Sequence, residues 1–97
     1  MKDQNAVLAG VEQASWSAED GTAYEVALEG INHVVGAYSG LIGRAEKAGD
    51  AARAGELAAE QGEWAARRKT LTPNDRAAVD AVTTEAAQKL AQLRNAR

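Results

Sequence analysis

The sequence predicts an all-α protein: a small antiparallel helical bundle of three long helices preceded by a short N-terminal helix. Three observations predict it. Every strong apolar periodicity steps by three and four residues, the spacing of one helical face. No run alternates apolar and polar residues with β-branched enrichment, so no strand is expected. Turn-forming residues separate the periodic segments by only a few positions, and short links set long helices antiparallel. A chain of 97 residues makes a single helical domain, 1–97.

The first helix is expected over residues 4–14. Val7, Leu8, Val11 and Ala14 form a small stripe, weakened by Gly10. Trp16 follows at the junction, as a half-exposed lid over one end of the bundle. Two starts compete for the second helix. Ser17 with Asp20 resembles a capping pair, while Thr22 with Glu25 fits the Thr-x-x-Glu capping box, in which the Glu reaches back to the cap amide. With Asp20-Gly21 as a turn dipeptide, Thr22 is the expected cap and Ser17 belongs to the turn before it. The helix should run to Ala48, with Gly49 supplying the left-handed residue that ends it.

Residues Tyr24 to Ala45 carry the clearest pattern in the chain. Tyr24, Leu28, Ile31, Val35, Tyr38, Ile42 and Ala45 share one face, and Ala27, Val34 and Leu41 widen it. The apolar arc spans about 140°, broader than a two-position coiled-coil seam, so other helices must cover it.

Asp50 caps the third helix. Leu57, Trp64 and Leu71 recur every seven residues, with Ala54, Ala58, Gln61 and Ala65 beside them. Glu63 and Arg67 are placed for a favourable four-apart pair, worth about 0.2–0.5 kcal/mol. At the next boundary Thr72 is expected to cap, with Pro73 at the first helical position and Asp75 in the first turn. The fourth helix then runs to Asn95. Val79, Ala86 and Leu93 recur by seven, Val82 and Leu90 fill the stripe, and Gln88, Lys89, Gln92 and Arg94 face water.

Composition bounds the function. The chain is alanine-rich: alanine makes up most of the 45% hydrophobic residues, Phe is absent, and Trp16, Tyr24, Tyr38 and Trp64 are the aromatics. Alanine buries little area, so the core is thin or built by close helix approach, and self-association would add the missing burial. A self-sufficient monomeric bundle competes with that reading on nearly equal terms. There is no cysteine, hence no thiol or disulfide chemistry. The polar opening Met1-Lys2-Asp3-Gln4-Asn5 lacks the apolar segment of a signal peptide. Polar and charged residues interrupt every apolar run, so no membrane span is expected. A soluble, cytoplasmic protein follows. The net charge is −3, with residues 1–43 acidic and the remainder slightly basic, an asymmetry that favours antiparallel or head-to-tail contacts.

Gly36, Gly40 and Gly43 follow the helical step on the side opposite the apolar stripe. An exposed glycine costs a helix up to about 1 kcal/mol relative to alanine. Close approach of another backbone gives such spacing a purpose, against the plainer reading of a soft or kinked helix. The segment Gly36-Ala37-Tyr38-Ser39-Gly40-Leu41-Ile42-Gly43 is not a phosphate loop: it lacks the Gly-Lys-Ser/Thr ending and no strand precedes it. His33, the single histidine, has Glu29 one turn earlier, but two ligands fall short of the four of a structural zinc site. Ser15, Ser17 and Ser39 have no evident base and read as caps or surface residues. No catalytic residue, cofactor or metal is therefore expected.

Arg67-Arg68-Lys69 is the one basic cluster. Its place in the last turn of a helix suits the helix dipole, and nearby Glu60 and Glu63 with the overall acidity disfavour phosphate binding. Length and helical-hairpin character resemble the small secreted proteins with a Trp-x-Gly turn, but Trp16-Ser17-Ala18 and Trp64-Ala65-Ala66 lack that motif, and nothing carries over. The expected function is a non-enzymatic protein–protein interaction module, self-associating as a homodimer or larger homo-oligomer. Its candidate contacts are Leu28, Ile31, Val35, Tyr38, Ile42 and the glycines Gly36, Gly40 and Gly43. The alternative is a small nucleic-acid-binding regulator using Arg67, Arg68 and Lys69.

Overall fold

A computed structural model describes residues 16–96. It contains three helices, α1 (Ala18–Lys47), α2 (Ala51–Thr70) and α3 (Arg76–Asn95), which are the second, third and fourth helices expected from the sequence. The expected helix over 4–14 lies outside the described residues. The chain is all-α, with helices packed on one another and no strand among the described residues.

α1 has 30 residues, roughly 45 Å of helix, and it is the spine. Both shorter helices lie against it: α2 runs back antiparallel, and α3 returns parallel to α1. α2 and α3 meet each other through side chains, among them Arg67 on Glu85 at 2.7 Å. Two buried clusters stack along the spine. One gathers Ala27, Ile31, Val79 and Val82; the other Val34, Tyr38, Ala45, Ala54, Leu57, Ala86 and Leu93. The half-buried Trp64 packs against both clusters, so the large ring fills the space that an alanine-rich chain leaves between α2 and α3.

The buried face of α1 is the expected stripe, turned. Its buried members are Ala27, Ile31, Val34, Tyr38 and Ala45, whose mean direction lies about 50° around the helix from that of Tyr24, Leu28, Ile31, Val35, Tyr38 and Ile42, at 100° per residue. Close packing is the cause. Small residues on the α3 side let that helix approach until a methyl built on Gly30 would stand 3.1 Å from the Cβ of Ala86. The bulkier Leu28, Val35 and Ile42 are half-buried towards the other flank.

Helix boundaries differ from expectation at two caps. α1 starts at Ala18 with Ser17 as its cap: the Asp20 amide donates to Ser17 Oγ and the Ser17 amide to Asp20 Oδ2, both at 3.1 Å. Thr22 is an interior residue whose hydroxyl donates to Ala18 O. The reciprocal Ser-x-x-Asp box wins because it satisfies the same orphan amides and adds a turn of helix. It also places Trp16 back over Gly21, with ring atoms 3.8 Å from where a Gly21 Cβ would sit, and leaves that ring 41% exposed. For α3 the cap is Asp75, accepting from the Ala78 amide, and not Thr72. Thr72-Pro73-Asn74 forms the preceding turn, closed by the Asp75 amide on Thr72 O. An aspartate three residues before a free amide displaces Pro73 from the first helical position.

The remaining boundaries follow the sequence. Asp50 caps α2 through the Arg53 amide, and Gly49 takes φ +76° after α1 ends. On α2 the stripe is narrower than expected. Ala54 and Leu57 are buried and Gln61, Trp64 and Ala65 half-buried, but Ala58 is exposed. On α3 Lys89, expected in water, is half-buried; a lysine stem covers apolar surface readily.

Candidate interaction face of the first helix

Among the described residues α1 is covered on two flanks and open on its third. Along the α2 flank the contacts are polar. Gln61 Nε2 donates to Val35 O at 2.9 Å and to Ser39 Oγ at 2.8 Å, and Arg68 Nη1 donates to Asn32 Oδ1. Tyr38 Oη donates to Glu60 Oε1 at 2.9 Å. Burial, reinforced by the Glu60 carboxylate, pushes the Tyr38 phenol up to about 12. These bonds fix the rotation of α1 about its own axis. Sequence reasoning did not find them. The available signal was Gln61, a polar residue in an apolar stripe, which needs a partner wherever it is covered.

Along the α3 flank the border is an apolar groove of about 410 Å³, lined by Ala37, Leu41, Leu90 and Leu93 together with Gly36 and Gly40, with Asn32, His33, Arg44 and Arg94 also contributing. A second, smaller depression continues it past His33 and Leu90 towards Val26, whose side chain is 48% exposed.

Between these borders lie the glycines. Gly36, Gly40 and Gly43 are exposed, and a Cβ placed on any of them would meet nothing within 4 Å among the described residues. Glu25, Glu29 and His33 share this open side, as do Arg44 and Lys47 towards its C-terminal end, and all five are exposed. The candidate residues thus divide. Ile31 and Tyr38 are fully buried in the chain's own core, Leu28, Val35 and Ile42 are half-buried beside it, and the three glycines form the surface.

The basic cluster is largely engaged within the chain. Arg67 forms its ion pair with Glu85 across helices, in place of the expected partner Glu63, and its guanidinium lies 4.6 Å from the Trp64 ring centroid. Arg68 holds Asn32. Among the described residues Lys69 alone extends from the cluster without such a bond. Just past the turn that follows this cluster, Arg76 bridges Asp20 and Asp80, both at 3.0 Å, tying the start of α3 to the start of α1. The Ser17 amide, then Arg76, holds the Asp20 carboxyl below its ordinary value.

Among the described residues no group of three or more His, Cys, Asp or Glu side chains is arranged to hold a metal ion. No described helix is long and apolar enough to cross a membrane. No family model, curated protein or solved structure matches the chain.

Proposed function

We propose that this chain is a small, non-enzymatic helical module that binds protein surfaces, its own copy included, by packing the open face of α1 against a partner helix. One observation carries the reading: Gly36, Gly40 and Gly43 line one exposed side of α1, with no described atom within 4 Å of where their side chains would be. No described residue requires glycine there, and each costs the helix up to about 1 kcal/mol relative to alanine. Glycines that serve no internal contact make sense where another backbone comes close. The hydroxyls of Ser17, Thr22 and Ser39 are occupied by a cap, a helix carbonyl and an interhelical bond, which supports a binding role over nucleophilic chemistry. The cytoplasm is the proposed compartment, from the cysteine-free composition.

Light scattering across a concentration series tests the reading. Self-association is expected, and Gly40→Leu is expected to abolish it while leaving helicity intact. A strictly monomeric mass at the highest concentration removes self-association from the proposal. The nucleic-acid alternative gains no support from the geometry, since Arg67 and Arg68 already have partners.

A further inference from the structure

The open face of α1 is palindromic in charge and size. Glu29, Gly36, Gly40 and Lys47 lie nearly on one line along the helix, within an arc of about 40° at 100° per residue. Their spacing is symmetric: seven residues separate Glu29 from Gly36, four separate the two glycines, and seven separate Gly40 from Lys47. All four positions are exposed. Neither Glu29 nor Lys47 belongs to any ion pair of the described chain, whereas Arg53, Arg67 and Arg76 all do.

We infer that the occupant of this face is a second copy of the chain, laid antiparallel, with a two-fold axis passing between Gly36 and Gly40. The inference rests on the self-association proposed above and specifies its geometry. In this register Gly36 of each copy meets Gly40 of the other, so the backbones make their closest approach where no side chain intervenes. Glu29 of each copy meets Lys47 of the other at both ends. His33 stands level with Gly43 of the second copy, a height at which one of the two helices has no side chain. A closed two-fold contact of this kind is self-complementary by construction. A parallel pair would instead set Glu29 against Glu29 and Lys47 against Lys47, which is repulsive. The groove beside the glycines, walled by Leu41 and Leu90, adds apolar area to a contact that glycines alone would leave thin.

Charge reversal in the full chain tests the register, with the dimer constant read by sedimentation at low salt. Lys47→Glu is expected to weaken the dimer about tenfold, because two attractions become two repulsions. Adding Glu29→Lys to the same chain is expected to restore it. A spin label on Ala48→Cys gives an independent readout: roughly 30 Å between labels in the antiparallel pair, against about 10 Å side by side in a parallel one. A dimer indifferent to both reversals, or labels close together, overturns the register and leaves self-association standing. A monomer under all conditions overturns both.

Discussion

Tyr38, 1% exposed in the C-terminal half of α1, donates its phenol hydrogen to Glu60 on α2 at 2.9 Å. The bond joins the deepest aromatic of the core to an exposed carboxylate on the rim, and so pins α2 to the spine near its middle. Burial is the larger cause of the raised phenol pKa and Glu60 the next, because both oppose a second negative charge at this point.

That shift has a sign. A folded-state pKa raised from 10.0 to about 12 contributes stability that is fully present below pH 10 and is lost as pH rises through 12. Solvent around the exposed Glu60 screens part of this, so the loss across the window is smaller than the full shift implies. Tyr38→Phe is expected to cost about 1 kcal/mol at pH 7 through the lost hydrogen bond, and to lack the alkaline decline. Urea unfolding of both proteins between pH 7 and pH 12 checks this, since other titrating groups are common to both. Equal alkaline losses would show that Tyr38 does not carry the effect.

The glycines of α1 should separate stability from association. At Gly36 and Gly40 a methyl meets nothing among the described residues, so Gly36→Ala and Gly40→Ala are each expected to stabilise the monomer, by up to about 1 kcal/mol, while weakening the dimer. Gly30→Ala is different. Its methyl would stand 3.1 Å from Ala86, and α3 must shift by a few tenths of an ångström, so the propensity gain is expected to be cancelled with no effect on association. Thermal unfolding and sedimentation of the three variants, measured together, decide it. A dimer unaffected by Gly36→Ala would show that the backbones do not approach there.

Most of the helical architecture was legible because it depends on periodicity, which is local. The apolar steps from Tyr24 to Ala45, the left-handed Gly49 and the cap at Asp50 all declare themselves in the sequence. What it hid depends on competition or on distance. Ser17 and Thr22 are both sound caps, and which one wins depends on Trp16 settling over Gly21 and on Arg76, 56 residues away, gripping Asp20. The rotation of the buried face could not be read from α1 alone, because it follows from how closely α3 can approach Gly30. The openness of the glycine face could be suspected from spacing, but only the positions of α2 and α3 show that neither covers it.

The caps give a test at the two places where expectation and structure part. Ser17→Ala is expected to destabilise the fold by about 1 kcal/mol and Thr22→Ala by clearly less, with the same ordering for Asp75→Ala against Thr72→Ala. Acid should act on the first pair. Asp20 is held below its ordinary value of 3.8, so its contribution is present above that pH and is lost as pH falls beneath it. The Asp20→Ala deficit should therefore shrink in strong acid, as the protonated carboxyl gives up its bonds to the Ser17 amide and to Arg76. Denaturant unfolding at pH 7 and pH 2.5 provides the comparison, and an undiminished deficit would assign Asp20 a role apart from its charge.

The turned core makes a prediction that the apolar pattern alone would get wrong. By side-chain size, Leu28 and Ile31 are equal members of the stripe. In the fold Ile31 is 0% exposed, in a cluster with Ala27, Val79 and Val82, whereas Leu28 is only half-buried. Ile31→Ala should leave a cavity between α1 and α3 and cost about 2–5 kcal/mol. In a chain this small that removes much of the total stability. Leu28→Ala removes as many carbons, but the site opens to water, so no enclosed cavity remains and the expected loss is well below half as large. Urea midpoints for the two variants measure the difference. Equal losses would mean that Leu28 is as deeply covered as Ile31, which would place the centre of the core back on the line of the large side chains.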